Sequence, residues 1–186
     1  MNFQEKAWYI TGFADGEGSF NTSFRQRDDY LIGWKITPVF NISQKERSIL
    51  ALIKHHLKCG TLRHRSDHVW VYEVENQTTL REIIVPFFTR YGFLSQKKKR
   101  DFSRFQKILS LLETHQSKTY DDIVHILDLL DEIESRSSRQ FTNQQILTRA
   151  EIFWKQNHDK IFKINQEKER EKNPQRLHAK LPTTIS

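Results

Sequence analysis

The hydrophobic period of this chain changes abruptly at Gly16–Gly18, and no other feature constrains the fold as strongly. Ahead of that point, Asn2 and Glu5 have capping-box spacing, and Phe3, Ala7, Ile10 and Ala14 recur at helical offsets. Together they predict a helix over residues 3–14. Trp8, Tyr9 and Phe13 lie off that stripe, so the helix is apolar on more than one side and is expected to sit between its own core and a second surface. From Ser19 onward the period is two. Phe20, Thr22 and Phe24 share one face, while Ser19, Asn21, Ser23, Arg25 and Arg27 share the other. A turn near Asp28-Asp29 returns the chain with Trp34, Ile36, Phe40 and Ile42 inward and Lys35, Thr37, Val39 and Asn41 outward. Pro38 removes a ladder donor and favours an edge or a bulge there.

The same succession then repeats. Ser43-Gln44-Lys45-Glu46 reads as a second capping box, and Ile49, Leu50, Leu52, Ile53 and Leu57 carry a helix that Gly60 ends. Thr61–Ser66 and His68–Glu75 form a second strand pair around Ser66-Asp67. Arg63 and Arg65 lie opposite Leu62 in it, and Trp70, Tyr72 and Val74 form an apolar set. A short helix from Thr79 is limited or kinked by Pro86. The basic block Lys97–Arg100 opens a longer one striped by Phe102, Phe105, Leu109 and Leu112, and another runs from about Tyr120 to Glu134.

The order helix, two strands, helix, two strands, helices predicts an α+β fold with one antiparallel four-stranded sheet, covered by helices on one face and open on the other. Residues 1–139 read as the core domain. Residues 140–186 read as a C-terminal helical extension, partly helical from Asn143 to Lys172, with a charged tail. Lysine and arginine number 30 against 23 acids, a net +7, which points to a polyanionic partner. The longest apolar run, Ile83–Phe88, is broken by Pro86 and too short to span a membrane, and no charged-then-apolar leader is present. The single cysteine, Cys59, can form neither an internal disulfide nor a thiolate zinc site, so an intracellular, reducing setting is expected.

The segment Ile10–Phe20 carries the chemistry. Read against the nine letters of their signature, Ile10–Gly18 resembles the LAGLIDADG homing endonucleases: Gly12, Asp15 and Gly18 are identical, Glu17 replaces the final acid conservatively, and Thr11, Phe13, Ala14 and Gly16 depart. The family's repeat order, α-β-β-α-β-β-α, is the order already read over roughly residues 3–135. One motif copy is similar to the single-motif subfamily, whose members act as homodimers on double-stranded DNA. The resemblance implies a site-specific endonuclease that makes a staggered double-strand break in a long, roughly palindromic target. The expected cofactor is Mg2+, or another divalent cation such as Mn2+, and the expected setting is the homing of an intron, with an organelle favoured over a prokaryotic or phage host. An RNA maturase or DNA-binding regulator on the same fold, without cleavage, is the alternative. A structural, ribosome-associated basic protein is a further one.

Residue by residue, the resemblance makes Glu17 catalytic and a metal ligand, with the Gly16 carbonyl beside it, and gives Gln44 the arrangement of the attacking water. Lys97 is the first choice for the catalytic lysine and Lys98 the next, the register within the basic run staying open. Gly12 lets two helices approach closely, and Thr11, Gly12 and Asp15 are the expected dimer contacts. Asp15 lies about 200° around the helix from Glu17, so the two acids do not reach one ion and Asp15 has a structural role at the helix end. The open sheet face, Ser19, Asn21, Ser23, Arg25, Arg27, Lys35, Thr37, Asn41, Arg63 and Arg65, is the expected reader of base edges. Lys98, Lys99, Arg100, Arg104, Arg136 and Arg139 are expected to meet phosphates.

Overall fold

The first helix, α1 (Phe3–Glu17), begins at the expected capping box: the Asn2 side chain accepts from the Glu5 amide and the Glu5 carboxylate from the Asn2 amide, both at 2.9 Å. It continues past its apolar stripe to Glu17, because the Ala14 carbonyl still takes the Gly18 amide, and the chain then passes directly into β1 (Gly18–Gln26). The computed structural model describes residues 1–114, 119–131 and 140–172.

Strands β1, β2 (Trp34–Gln44), β3 (Thr61–His64) and β4 (Trp70–Val74) form one antiparallel sheet in the order β1-β2-β4-β3. Gly18 lies opposite Ile42, Phe20 opposite Phe40 and Gln26 opposite Trp34, whereas β4 meets β2 only from Phe40 to Gln44. The outer half of the β1–β2 hairpin therefore overhangs the rest of the sheet. Pro38 lies in the overhang, where β2 has a neighbour on one side only, the edge-like setting that a residue without an N–H tolerates.

Helix α2 (Arg47–Leu57) does not start at the expected capping box. Pairing with β4 out to Gln44, opposite Trp70, keeps Ser43 and Gln44 extended in β2, and Glu46 stands at the N-cap with its side chain taking the Ser48 hydroxyl and capping no helix amide. Lys58, left-handed at φ 55°, ends this helix in place of Gly60. Gly60 is needed for a close approach instead: a Cβ there would lie 2.6 Å from the Tyr72 ring. Asn76 caps α3 (Gln77–Thr79), which runs through a π-helical turn (Leu80–Ile84) into α4 (Val85–Tyr91). Pro86 follows closely on the π-helical turn, and the rod continues through it along α4. Helices α5 (Gln96–Thr114), α6 (Tyr120–Asp131) and α7 (Asn143–Lys172) complete the order.

Two apolar clusters cover the inner face. The first joins Ile10 and Ala14 of α1 to Phe40, Ile42, Tyr72 and Val74 of the sheet and to Phe88, Phe102 and Phe105. At its centre Phe20 has the rings of Phe40, Phe88, Phe93, Phe102 and Phe105 at centroid distances of 5.0–6.0 Å, stacked, tilted and edge-on as ring quadrupoles prefer. The second lies under the overhang, where Phe24, Trp34 and Ile36 meet Ile108 and Leu112 of α5, Ile123 and Ile126 of α6, and Ile146 and Ala150 of α7. The first half of α7 thus shares a core with the first two strands. No helix among the described residues is long and apolar enough to cross a membrane.

Candidate functional site

The end of α1 and the start of α5 hold each other by a two-way exchange. The Asp15 carboxylate accepts from the amides of Leu94 at 3.0 Å and Ser95 at 2.9 Å and from the Ser95 hydroxyl. Ser95 in turn caps α5, its hydroxyl accepting from the Lys98 amide at 3.2 Å. In the other direction the Lys98 ammonium donates to the Gly18 carbonyl at the C-terminal end of α1. Burial acts to raise the Asp15 pKa, but the Ser95 and Leu94 donors and nearby Lys98 outweigh it, and the net displacement is downward. Lys98 is only 9% exposed, and burial pulls its ammonium below the ordinary lysine value. Asp101 and Asp15 oppose that, Lys97 adds to it, and Glu17 opposes it.

Glu17 is exposed beside this junction, without a hydrogen bond or ion pair shown to any described residue. Carbonyls of a helix's last turn have no partner within the helix, which leaves the Gly16 oxygen available next to it. No group of three or more His, Cys, Asp or Glu side chains converges among the described residues. One carboxylate and one carbonyl are less than a closed coordination shell. Such a pair suits a hard cation that keeps several waters and takes further oxygens from elsewhere, so the residues fit a divalent ion as half a site. Gln44, the last residue of β2, lies at the same end of the sheet as Glu17, since Ile42 is opposite Gly18. Its side-chain oxygen accepts from the Lys45 amide at 2.8 Å. Lys97 is exposed; of the two candidate lysines, Lys98 is the one built into the junction.

The outer face of α1 carries Trp8, Tyr9, Gly12 and Gly16. Trp8 is 57% and Tyr9 42% exposed, although Trp8 meets Tyr91 edge-on and Tyr9 stacks on Phe13. A Cβ added at Gly12 or Gly16 would meet nothing within 4 Å, so nothing inside this subunit requires a glycine at either position. Thr11, expected on this face, lies on the other: it is 3% exposed, packed with Ala7, Ile10 and Ala14, and donates to the Ala7 carbonyl at 3.0 Å. At 100° per residue a step from Gly12 to Thr11 leaves the open face, and Asp15 is engaged with α5. Sequence reasoning noted Trp8 and Tyr9 only as off-stripe; their separation from Thr11 on the helical wheel was the usable signal.

Across the open sheet face the register pairs Ser19 with Asn41, Asn21 with Val39, Ser23 with Thr37 and Arg25 with Lys35. Arg63 is on the same face opposite Val71, and it ion-pairs with Glu73 at 3.6 Å. Glu73, opposite Asn41, is an acid in the middle of this surface that the sequence analysis did not single out. Arg27 and Arg65 lie in the two hairpin turns, each paired at 2.7 Å with an acid two residues on, Asp29 and Asp67. The hydrogen bond and charge of Asp29 raise the Arg27 pKa further. Lys99 and Arg100 are exposed on the first turns of α5. Arg104 packs near Asp101 at 3.8 Å, and Arg136 and Arg139 lie outside the described residues.

Comparison with known proteins decides the family, since a model described as LAGLIDADG endonuclease matches residues 10–109, more than half of the chain. The chain belongs to the LAGLIDADG endonuclease family. It is 32% identical over 124 residues to "Probable intron-encoded endonuclease 2" of Neurospora crassa, covering 64% of this chain but only 27% of that protein, so it spans about a quarter of that relative's length. It is 26% identical over 147 residues to homing endonuclease I-ApeII of Aeropyrum pernix, covering 75% of this chain and 86% of that one. Among solved structures, an archaeal intron-encoded homing endonuclease complexed with DNA superposes with a TM-score of 0.72 at 27% identity, over 82% of this chain and 98% of that chain. Its four-stranded antiparallel α+β architecture is thus that of LAGLIDADG structures, as the order of periods predicts.

The α1–α5 exchange makes acid stability depend on Asp15. A carboxylate whose native pKa is depressed stabilises the fold above its unfolded value and loses that contribution as pH falls through the native one. Asp15→Ala is expected to lose about 1–2 kcal/mol at pH 7, the usual worth of a helix cap. The difference from wild type should shrink as the pH is taken below the ordinary carboxylate range. Urea denaturation from pH 7 to pH 3 measures both; a gap that stays constant with pH would contradict the role.

Proposed function

We propose that this LAGLIDADG chain acts as a homodimeric, site-specific DNA endonuclease that hydrolyses one phosphodiester in each strand of a long, roughly palindromic duplex. The observation that carries the reading is the exposed Glu17 at the end of a helix whose outer face is glycine-paired and aromatic, beside an open basic sheet face. A glycine in a helix interior is about 0.8–1.0 kcal/mol less favourable than alanine, and here neither Gly12 nor Gly16 serves the subunit itself. A second copy of α1 packed backbone to backbone gives both a purpose, with Trp8 and Tyr9 flanking the seam, and brings two Glu17 carboxylates to one twofold axis.

In that dimer Glu17 and the Gly16 carbonyl hold magnesium or a similar divalent ion. When bound, such an ion supplies charge that activates water and stabilises the leaving oxygen. Gln44 orients the attacking water from the end of β2. Lys98 holds its positive charge fixed at the junction and steadies the charge that develops on the scissile phosphate, a role first expected at Lys97. Lys97, Lys99 and Arg100 meet backbone phosphates, and the face from Ser19 to Arg63 reads base edges in the major groove. The fungal relative, named as intron-encoded, supports an intron as the coding context, and an organelle genome is the host we favour.

Duplex DNA carrying the joined flanks of this chain's own gene, incubated with magnesium or with EDTA, tests the activity. Cutting with magnesium alone is expected, whereas binding without cutting under any divalent ion would favour the regulator or maturase reading. Glu17→Gln is expected to abolish cleavage while leaving affinity within a few-fold, because it removes a ligating charge and little volume; wild-type cutting by that variant would remove Glu17 from the site. Lys98→Met should lower the single-turnover rate about 100-fold or more, the usual scale for losing one preorganised charge, and Lys97→Ala much less. The reverse ranking would return the role to Lys97. Gly12→Leu should yield a folded monomer by light scattering, with unchanged far-UV circular dichroism; a retained dimer would overturn the α1 seam.

A further inference from the structure

The outer half of the β1–β2 hairpin needs a cover that β3 and β4 do not supply, and α7 provides part of it. The Trp34 indole donates from Nε1 to the Ile146 carbonyl at 3.0 Å. Arg149 donates from Nε to the Gly33 carbonyl at 3.0 Å, ion-pairs with Asp28, and lies 4.5 Å from the Phe153 ring centroid and 5.7 Å from that of Trp34. Asn157 reaches the Leu31 carbonyl at 3.5 Å. Gly33 has φ +70°, and a Cβ there would lie 2.8 Å from the Phe153 ring, so turn and helix meet without room for a methyl group. Every one of these contacts falls on the turn between the strands or on the first residue of β2.

The opposite face of that segment carries Arg25 and Lys35, paired across the strands one step before Gln26 and Trp34. They lie toward the far end of β1 from Gly18, about 23 Å away at roughly 3.3 Å per strand residue. A two-stranded ribbon alone is marginally stable in water, and its side chains would have to be ordered at the moment of binding.

Resting on the reading of the sheet as a DNA-binding face, we propose that α7 is a brace for recognition: it fixes the hairpin tip so that Arg25 and Lys35 discriminate the base pairs farthest from the cut. Arg149 is its central positioning residue. Arg149 touches no expected DNA contact itself. It acts through the Gly33 carbonyl, Asp28 and the Trp34 ring, three points that together fix the tip in position and tilt.

The test uses the full chain with Arg149→Gln, which keeps length and loses the charge and the fork, and with Arg149→Lys. In the free protein, hydrogen exchange of the amides from Arg27 to Gly33 should quicken about tenfold or more in the glutamine variant, while those of β4 are unchanged. On a panel of duplexes with single substitutions across the target, discrimination at the outermost positions should fall about tenfold. Discrimination near the cut and the single-turnover rate at saturating DNA should stay within about twofold of wild type, and lysine should restore part of the loss. Unchanged exchange at the tip, or a loss spread evenly over all positions, would overturn the brace. A wild-type chain without sequence preference for duplex DNA would remove the reading it rests on, and this proposal with it, while any exchange difference would stand as a property of the fold. Should Arg149→Gln fail to fold, Asn157→Ala carries the same two readouts.

Discussion

Two helix ends that satisfy each other, α1 and α5, are the contact that fixes the end of α1 and the residues of the candidate site beside it. A helix leaves unpaired carbonyls at its C-terminus and unpaired amides at its N-terminus, with partial charges to match. Here an acid of α1 takes the donors at the start of α5, and a lysine of α5 takes a carbonyl just past the end of α1. Each charge faces the end of the partner helix whose dipole favours it, while standing at the disfavoured end of its own helix. The partners are about 80 residues apart in sequence, so the exchange ties the first helix to the basic helix across the whole sheet. Glu17 lies two residues beyond Asp15, and its position is thereby set by tertiary structure where a last turn would otherwise fray.

The sheet divides the work between two cores. Under its inner end, the aromatic cluster around Phe20 supports α1, α2 and α5, and so supports the site. Under the overhang, a separate cluster centred on Trp34 draws on α6 and α7. The two clusters are separate sets of side chains, although β1, β2 and α5 contribute residues to both. That arrangement lets the tip of the hairpin differ in sequence and in cover without disturbing the residues around Glu17. The same division appears in the charges. Arg27 and Arg65 at the two turns are already matched to acids, and such exposed pairs contribute little stability. No ion pair is shown for Arg25 or Lys35 among the described residues.

Period and alternation made most of the fold legible. The helix-to-strand change at Gly16–Gly18, the outward set on β1 and β2 and the stripe of α5 all follow from local patterning, and the register keeps the paired strand residues on the faces that parity assigns, while Arg27 and Arg65 fall in the turns beyond the strands. What was hidden depends on pairing between distant segments. Ser43 looks like a cap until β4 holds it extended, and Pro38 looks like a flaw until β4 stops at Phe40. Glu73 is a bland strand acid until the register sets it beside Arg63. Within the site, the motif points to Glu17 and Gly12 directly, whereas Thr11 goes to the core because one residue on a helix is 100°. Four basic residues in a row cannot announce which of them is buried; only the Gly18 carbonyl selects Lys98.

Half a site has a physical logic in the nuclease proposed here. Glu17 alone gives a cation one charged ligand and leaves most of its shell to water, so affinity for metal in the isolated subunit is expected to be weak. Pairing two subunits doubles the carboxylates at the axis, and a bound duplex adds phosphate oxygens. The coordination proposed for catalysis is then complete only when the dimer and its target are both present. Gly12 and Gly16 weaken α1 as a helix, and in the proposed dimer that small loss is what would let the backbones meet and the two acids converge. On the proposed reading the two tasks are divided, with the sheet face choosing the sequence and the incomplete metal site requiring both a second subunit and a bound duplex.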